Sequence, residues 1–285
     1  MGSEFGLLTE RSGLAMRQSM GTRQSLLDQH FFTVAERYRR LRDLDYHTAR
    51  HVAQLLARVA RTGWLSVLDI GAGTGRYLAA VIEMAASEHD VVCHGVACDA
   101  NRFMLSSGAA AARDLRAQPH RVVGLAEALP FREASFDAVL CFNAIQHFNL
   151  EAFLWEAGRV LSSGAMLIVY TRTPEQNRRT VWGQLFPMFA EREKRLHSPD
   201  ELRAAFMGCS RFSSVHVRSV PWTMRTTATR LLQQARGRCY STFTLYEPAE
   251  FDAALEIFKR RLGLLPSHES LITVQNDHLV VAARR

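Results

Sequence analysis

No apolar run in this 285-residue chain comes near the ~20 residues that a membrane-spanning helix needs; the longest, such as Ala109–Ala112 and Met166–Tyr170, are short. Nothing reads as a secretory signal, an internal repeat or a low-complexity tract, and Met1-Gly2-Ser3-Glu4-Phe5 has the look of an expression scar. Residues 1–25 are therefore expected to be a tag and mobile tail. Cysteine is sparse: Cys93, Cys98, Cys141, Cys209 and Cys239 include no CxxC pair, and their odd number excludes a complete disulfide framework. Reduced, buried thiols in a cytosolic compartment are the expectation, with no metal centre. Lysine is nearly missing, since Lys194 and Lys259 are the two in the chain and every other base is arginine. One long stretch lacks acid altogether: from Glu201 to Glu247 there are seven arginines and no carboxylate between the ends, within a chain of net charge +7.

What is present is a regular alternation. Apolar positions at helical spacing (Leu27, Phe31, Val34, Tyr38, Leu41, then Val52, Leu55, Leu56, Val59) predict two helices over residues 26–62, broken near Leu44–His47. Short apolar strands follow at Leu65–Ile70, Val91–Cys98, Val122–Leu125, Phe136–Phe142 and Ala165–Tyr170, separated by helical segments. Such alternation predicts a parallel sheet with helices on both faces. Ser198-Pro199-Asp200-Glu201 opens another helix, and Val215–Val220 and Leu279–Ala283 predict two last strands. The residues between these strands, 222–268, carry helical patterns and are expected to form an inserted cap on a domain spanning 26–285.

Chemistry concentrates in Val67-Leu68-Asp69-Ile70-Gly71-Ala72-Gly73-Thr74-Gly75, an apolar strand that runs into alternate glycines before a helix. Glycines there allow positive φ and let a ligand approach the backbone. A GxGxxG dinucleotide fingerprint would need Gly or Ala at position 76, where Arg76 stands. The next strand ends in Asp99, an acid that can accept hydrogen bonds from ribose hydroxyls. Then come Ala126-Glu127-Ala128-Leu129-Pro130-Phe131 and Ser135-Phe136-Asp137-Ala138-Val139.

These four motifs, in this order and strand context, resemble the type 11 branch of the class I S-adenosylmethionine (SAM)-dependent methyltransferases over roughly residues 65–170. The resemblance implies a Rossmann-like, seven-stranded doubly wound α/β sheet with one antiparallel strand, an N-terminal helical lid and the inserted cap. It implies SAM as cofactor, with Gly71 and Gly73 under its methionine part and Asp69 anchoring the loop near the ammonium. Asp99 would hold the ribose, Ala100 and Met104 the adenine face, and Ala126 and Glu127 the adenine edge. Asn143 would offer its carbonyl to the amine, and Tyr38 and Arg42 would close over the cofactor. The gap from Asp69 to Asp99 is longer than that family's norm, and the extra length is expected in a loop over Ser87–His94.

Candidates for catalysis are His147, in Gln146-His147-Phe148 after the fourth strand, and Tyr170 at the end of the fifth. Methyl transfer is an in-line displacement whose rate owes much to alignment, so a base is not obligatory. Arg172, Trp182, Arg225 and Arg230 are candidates for a substrate site, because arginine binds carboxylate or phosphate in fork geometry. The expected acceptor is a small molecule with an anionic group, a carboxylate or an isoprenyl diphosphate. A tRNA-modifying methyltransferase is the alternative, although no RNA-binding module or aromatic stacking platform is evident. A non-catalytic subunit of the same fold is disfavoured by the intact glycines and Asp99. Oligomeric state is not readable from the chain.

Overall fold

The computed structural model describes residues 30–38, 40–60, 62–111, 118–264 and 271–285; the proposed tag and tail at 1–25 lie outside them. In chain order the elements are α1 (residues 30–38), α2 (Tyr46–Val59), β1 (Trp64–Ile70), α3 (Arg76–His89), β2 (Val92–Asp99), α4 (Arg102–Ala111), β3 (His120–Val123), β4 (Phe136–Phe142), a 3-10 turn (Ile145–His147), α5 (Leu150–Val160) and β5 (Leu161–Thr171). Short helices α6 (Pro174–Arg179), α7 (Val181–Leu185) and α8 (Phe189–Arg192) lead to α9 (Pro199–Gly208) and β6 (Ser214–Thr226). The chain closes with α10 (Ala228–Arg236), a second 3-10 turn (Ser241–Leu245), α11 (Pro248–Gly263) and β7 (Ile272–Arg284).

The strands form one sheet in the order β3-β2-β1-β4-β5-β7-β6, with β7 antiparallel to both neighbours and the first five strands mutually parallel. β1 and β4 read as near-continuous apolar runs because helices bury them on both faces. On one face Ala49, Val52, Ala53 and Leu56 of α2 pack with Leu78, Val81 and Ile82 of α3. On the other, Phe153 and Leu154 of α5 and Leu202 and Phe206 of α9 close the core. The helices begin where side-chain oxygens meet free backbone amides. Asp45 accepts from Thr48 N (3.2 Å) at α2, Asn149 from Ala152 N (3.1 Å) at α5, and Ser198 and Glu201 form a reciprocal capping box at α9.

Two boundaries differ from the sequence reading. The extra length before Asp99 is regular structure and not a loop: α3 continues through His89, Asp90 turns the chain at φ 55°, and β2 starts at Val92. The cap does not begin at residue 222. β6 continues past Pro221 to Thr226, in unbroken register with β7 from Ser214↔Arg284 to Thr226↔Ile272. Proline reads as a strand stop, but β6 is the edge strand, where a missing N–H removes no ladder bond. Arg225 accordingly stands exposed on this edge strand, away from any cavity wall described below.

The helical layer above the sheet's end comes from two inserts, α6–α8 after β5 and α10–α11 before β7. They share one aromatic core, in which Trp182, Phe186 and Phe189 of the first insert meet Phe243, Phe251 and Phe258 of the second. Trp182 lies 5.4 Å from the Phe258 ring and 5.2 Å from Tyr240, centroid to centroid. It is a packing residue, buried at 3% exposure. Arg230 of α10 braces this layer to the segment before α2 through an ion pair with Asp43 (2.7 Å), beside Gln234 on the same carboxylate (2.8 Å). Trp182→Ala should lower the unfolding free energy by about 3–5 kcal/mol, the range for deleting a buried large aromatic. Arg225→Gln should change it by less than about 0.5 kcal/mol. Chemical denaturation of the two variants checks both values.

Candidate cofactor and acceptor site

The C-terminal ends of β1, β2 and β4 frame a cleft of about 270 Å³. Among its lining residues are Tyr38, Gly71, Gly73, Asp99, Ala100, Met104, Ala126, Glu127 and Asn143, which come together as the sequence placed them. The glycine turn is shaped by close approach. A Cβ on Gly71, at φ 68°, would stand 2.6 Å from Ala144 Cβ and 2.7 Å from Phe148 Cζ. Gly73, at φ 56°, faces Met104 Cε. Its N–H donates to Asp99 Oδ2 (2.7 Å), while Asn101 N donates to Asp99 Oδ1 (2.7 Å). The acid at the end of β2 is thereby fixed against the turn after β1. Glu127 Oε1 accepts from Asn149 N (2.8 Å), and Asn143, at φ 52°, accepts Gln146 Nε2 on its carbonyl (2.9 Å). Phe31, Asn101, Gly124, Leu125, Phe142 and Phe148 also line the cleft. Sequence reasoning missed them as site residues; for Phe31, Leu125, Phe142 and Phe148 the reason is that an apolar side chain carries no chemical signature until the fold shows which way it faces.

Asp69 lies beneath the glycine turn, 1% exposed, and among the described residues neither carboxylate oxygen has a protein hydrogen-bond partner. Burial pushes its pKa well above the usual carboxylate range, and the charge of Asp99 adds to the rise. A cation beside it would reverse both effects. A cradle that excludes a Cβ, a buried carboxylate lacking a cation and an acid at the second strand end fit the ammonium and ribose of SAM.

A second chamber, about 80 Å³, adjoins the first and shares Phe31, Tyr38, Asn143 and His147 with it. Arg42, Gln146, Arg172, Asn177, Glu193, Tyr240 and Ser241 are among its other walls. Arg42 belongs here and not to the cofactor cleft: its guanidinium lies over the Tyr240 ring at 3.9 Å. His147 stands between the two spaces, with Nε2 3.5 Å from Ser241 Oγ and 3.4 Å from Gln146 Nε2. Burial lowers its pKa to about 4; Arg195 adds to the fall and Glu193 opposes it. Glu193 is itself buried, held by Arg195 (2.7 and 2.5 Å) and by Thr242 Oγ1 (2.7 Å).

Tyr170 is not at this surface. It is buried at 1% exposure, its hydroxyl donates to Asp45 Oδ2 (2.9 Å), and its ring packs on Tyr77 and His278. It joins β5 to the cap of α2 and cannot reach a substrate. The acid-free arginine run is also less naked in space than in sequence. Arg230 meets Asp43, Arg211 meets Glu133 (3.3 Å), and Arg238 lies over Phe251 (3.8 Å). Among the described residues no cluster of His, Cys, Asp and Glu could hold a metal, and no helix is long and apolar enough to cross a membrane.

Asp99→Ala should weaken S-adenosylhomocysteine binding by about 1.5–3 kcal/mol, the scale for hydrogen bonds to a charged group; calorimetry reads this directly. A second expectation concerns acid. Burial holds both His30 and His147 to about 4, below the ~6.5 of an unfolded chain. Between those values the unfolded state binds more protons, so stability falls as pH drops from ~6.5 toward ~4. Thermal unfolding across that window should show the loss, and a His30→Gln/His147→Gln double variant should reduce it.

Residues 68–169 match the family model described as "Methyltransferase domain". The chain is 32% identical to ajmaline N-methyltransferase of Rauvolfia serpentina over 105 residues, 36% of this chain and 35% of that one. It is 34% identical to the ubiquinone/menaquinone biosynthesis C-methyltransferase UbiE of Rhizobium leguminosarum over 157 residues, 52% of this chain and 59% of that one. The chain thus spans between about a third and three-fifths of these curated relatives. A protein assigned as a methyltransferase of an antibiotic biosynthesis pathway in Anabaena variabilis shares the fold at TM-score 0.60 and 20% identity, over 82% of this chain and 96% of that one. The [4+2]-cyclase SpnF shares it at TM-score 0.51 and 16% identity, over 83% and 80%. Residues 68–169, set in this seven-stranded sheet, thus match the methyltransferase-domain family, and the chain shares its fold with these solved structures.

Proposed function

We propose that this chain transfers a methyl group from SAM to a small molecule carrying an anionic group, held in the chamber behind His147. The observation that carries this reading is the shared wall: Phe31, Tyr38, Asn143 and His147 line both the cofactor cleft and the chamber. When bound, SAM supplies a methyl electrophile on a sulfonium. Gly71 and Gly73 would pass beneath its methionine part, Asp69 would face its ammonium, and Asp99 its ribose. The two aromatic side chains on the shared wall, Phe31 and Tyr38, would keep water from the space where donor and acceptor meet. An N–H or O–H acceptor must shed a proton once its lone pair bonds to the methyl carbon. His147, neutral at physiological pH because burial holds its pKa to about 4, is placed to take that proton. The names of the relatives, an N-methyltransferase of ajmaline and a C-methyltransferase of quinone biosynthesis, support a small-molecule acceptor. The chamber holds only about 80 Å³, which favours a small-molecule acceptor over a tRNA.

Transfer of tritium from labelled SAM to a panel of anionic, neutral and cationic small molecules, with total tRNA as the contrast, tests the reading. Anionic small molecules should take up label; label entering tRNA alone would overturn it. With the acceptor in hand, His147→Gln should cut kcat by about 10²-fold, the lower range for a general base. Activity of the unaltered chain should stay level from pH 6 to 8 in so far as His147 governs it, and fall toward pH 4.

A further inference from the structure

Arg42 and Arg172 reach the same small chamber from opposite ends of the fold, one from the segment after α1 and the other from the end of β5. Among the described residues neither has a carboxylate partner. The acids next to Arg42 in sequence are committed elsewhere: Asp43 to Arg230 and Gln234, Asp45 to Thr48 and Tyr170. Glu193, the acid on the chamber wall, is held by Arg195 on both oxygens. The Arg42 guanidinium lies over the Tyr240 ring, and burial lowers the pKa of Arg172, with Arg42 adding to the fall. Two like charges are therefore set close together in a poorly solvated place, an arrangement that costs free energy unless an anion joins them.

The polar group that meets the Arg172 side chain among the described residues sharpens the point. Arg172 Nη2 lies 2.8 Å from His278 Nε2, and Trp222 Nε1 lies 2.7 Å from His278 Nδ1. Guanidinium and indole N–H groups only donate, and a neutral imidazole has one accepting nitrogen. His278 is kept neutral by burial and by these same two arginines. One lone pair thus faces two obligate donors. Arg42 Nε, Arg172 Nε and Asn177 Nδ2, all on residues lining the chamber, are further buried donors with no protein acceptor, and Asn177 is only 3% exposed.

We infer that Arg42, Arg172 and Asn177 form a buried subsite for one compact oxyanion, a carboxylate or a phosphomonoester, beside the methyl-transfer position. The inference rests on the proposed function only in assigning that oxyanion to the acceptor molecule. The fork geometry of two guanidiniums suits the planar edge of a carboxylate or two oxygens of a phosphate. A long diphosphate chain suits it poorly, since the chamber holds about 80 Å³ and its far wall carries the Glu193 carboxylate. The anion-binding role that the acid-free run suggested for Arg225 and Arg230 passes to these two residues, which lie outside that run.

The test is a titration of the purified full-length chain with sodium benzoate, phenyl phosphate and pyrophosphate, by calorimetry and thermal shift, at fixed ionic strength. Benzoate or phenyl phosphate should bind and raise the melting temperature; the tighter of the two names the group. Arg42→Gln and Arg172→Gln should each weaken that binding at least tenfold, and Arg42→Lys or Arg172→Lys should recover part of it by restoring charge without the fork. S-adenosylhomocysteine affinity should move less than threefold in all four variants, because neither arginine lines the cofactor cleft; this also certifies that they fold. Arg225→Gln, on the exposed edge strand, should bind the probes as the unaltered chain does. The subsite is overturned if neither probe binds while S-adenosylhomocysteine does, if pyrophosphate outcompetes both, or if the Arg→Gln variants bind them unchanged. Probe binding without S-adenosylhomocysteine binding would leave the subsite standing and sink the methyl-transfer reading instead.

Discussion

The hydrogen bond from Gly73 N–H to Asp99 Oδ2, 2.7 Å long, joins the turn after β1 to the end of β2. Everything else about the cofactor cleft follows from holding these two strand ends together. The turn can come this close because Gly71 and Gly73 take positive φ and offer no Cβ to Ala144, Phe148 or Met104. With the turn pressed against β2, Asp69 is sealed beneath it and its carboxylate is left without a hydrogen-bond partner among the described residues. The parallel sheet supplies the rest, since its strand ends all open toward one rim and loops there can converge on a single ligand.

A second constraint operates above the rim. The layer made by α6–α8 and α10–α11 is tied together by one aromatic core, so two inserts separated by the chain from residue 193 to 227 behave as one wall. That wall presents Glu193, Tyr240 and Ser241 to the space beyond His147, while the sheet side presents Arg172 and the segment after α1 presents Arg42. The chamber is thus an intersection of three parts of the chain, and its charge balance belongs to no single motif.

Two sequence readings failed for physical reasons worth separating. Tyr170 ends β5 among candidate catalytic positions, but strand residues alternate faces, and this one turns into the core toward Asp45 and Tyr77. The arginine run from Arg203 to Arg238 lacks acid along the chain, yet folding brings Asp43 and Glu133 to it from distant segments. Linear charge bias is therefore a poor guide to an anion site when the compensating carboxylates are far off in sequence. Arg42 and Arg172, which line the chamber with no carboxylate partner among the described residues, stand outside the run, in contexts of ordinary composition.

The sequence by itself determined the alternation of strands and helices, the glycine turn and the acid at the end of β2. Those features are local: a strand's apolar run, a turn's need for positive φ and a cap's hydroxyl are written within a few residues. Only the tertiary structure decided the length of β6 beyond Pro221, the joining of two inserts into one aromatic wall, and the burial of Arg42 and Arg172 around one chamber. Edge position, long-range packing and the pairing of charges depend on which distant segments meet, and that information exists only once the chain has folded.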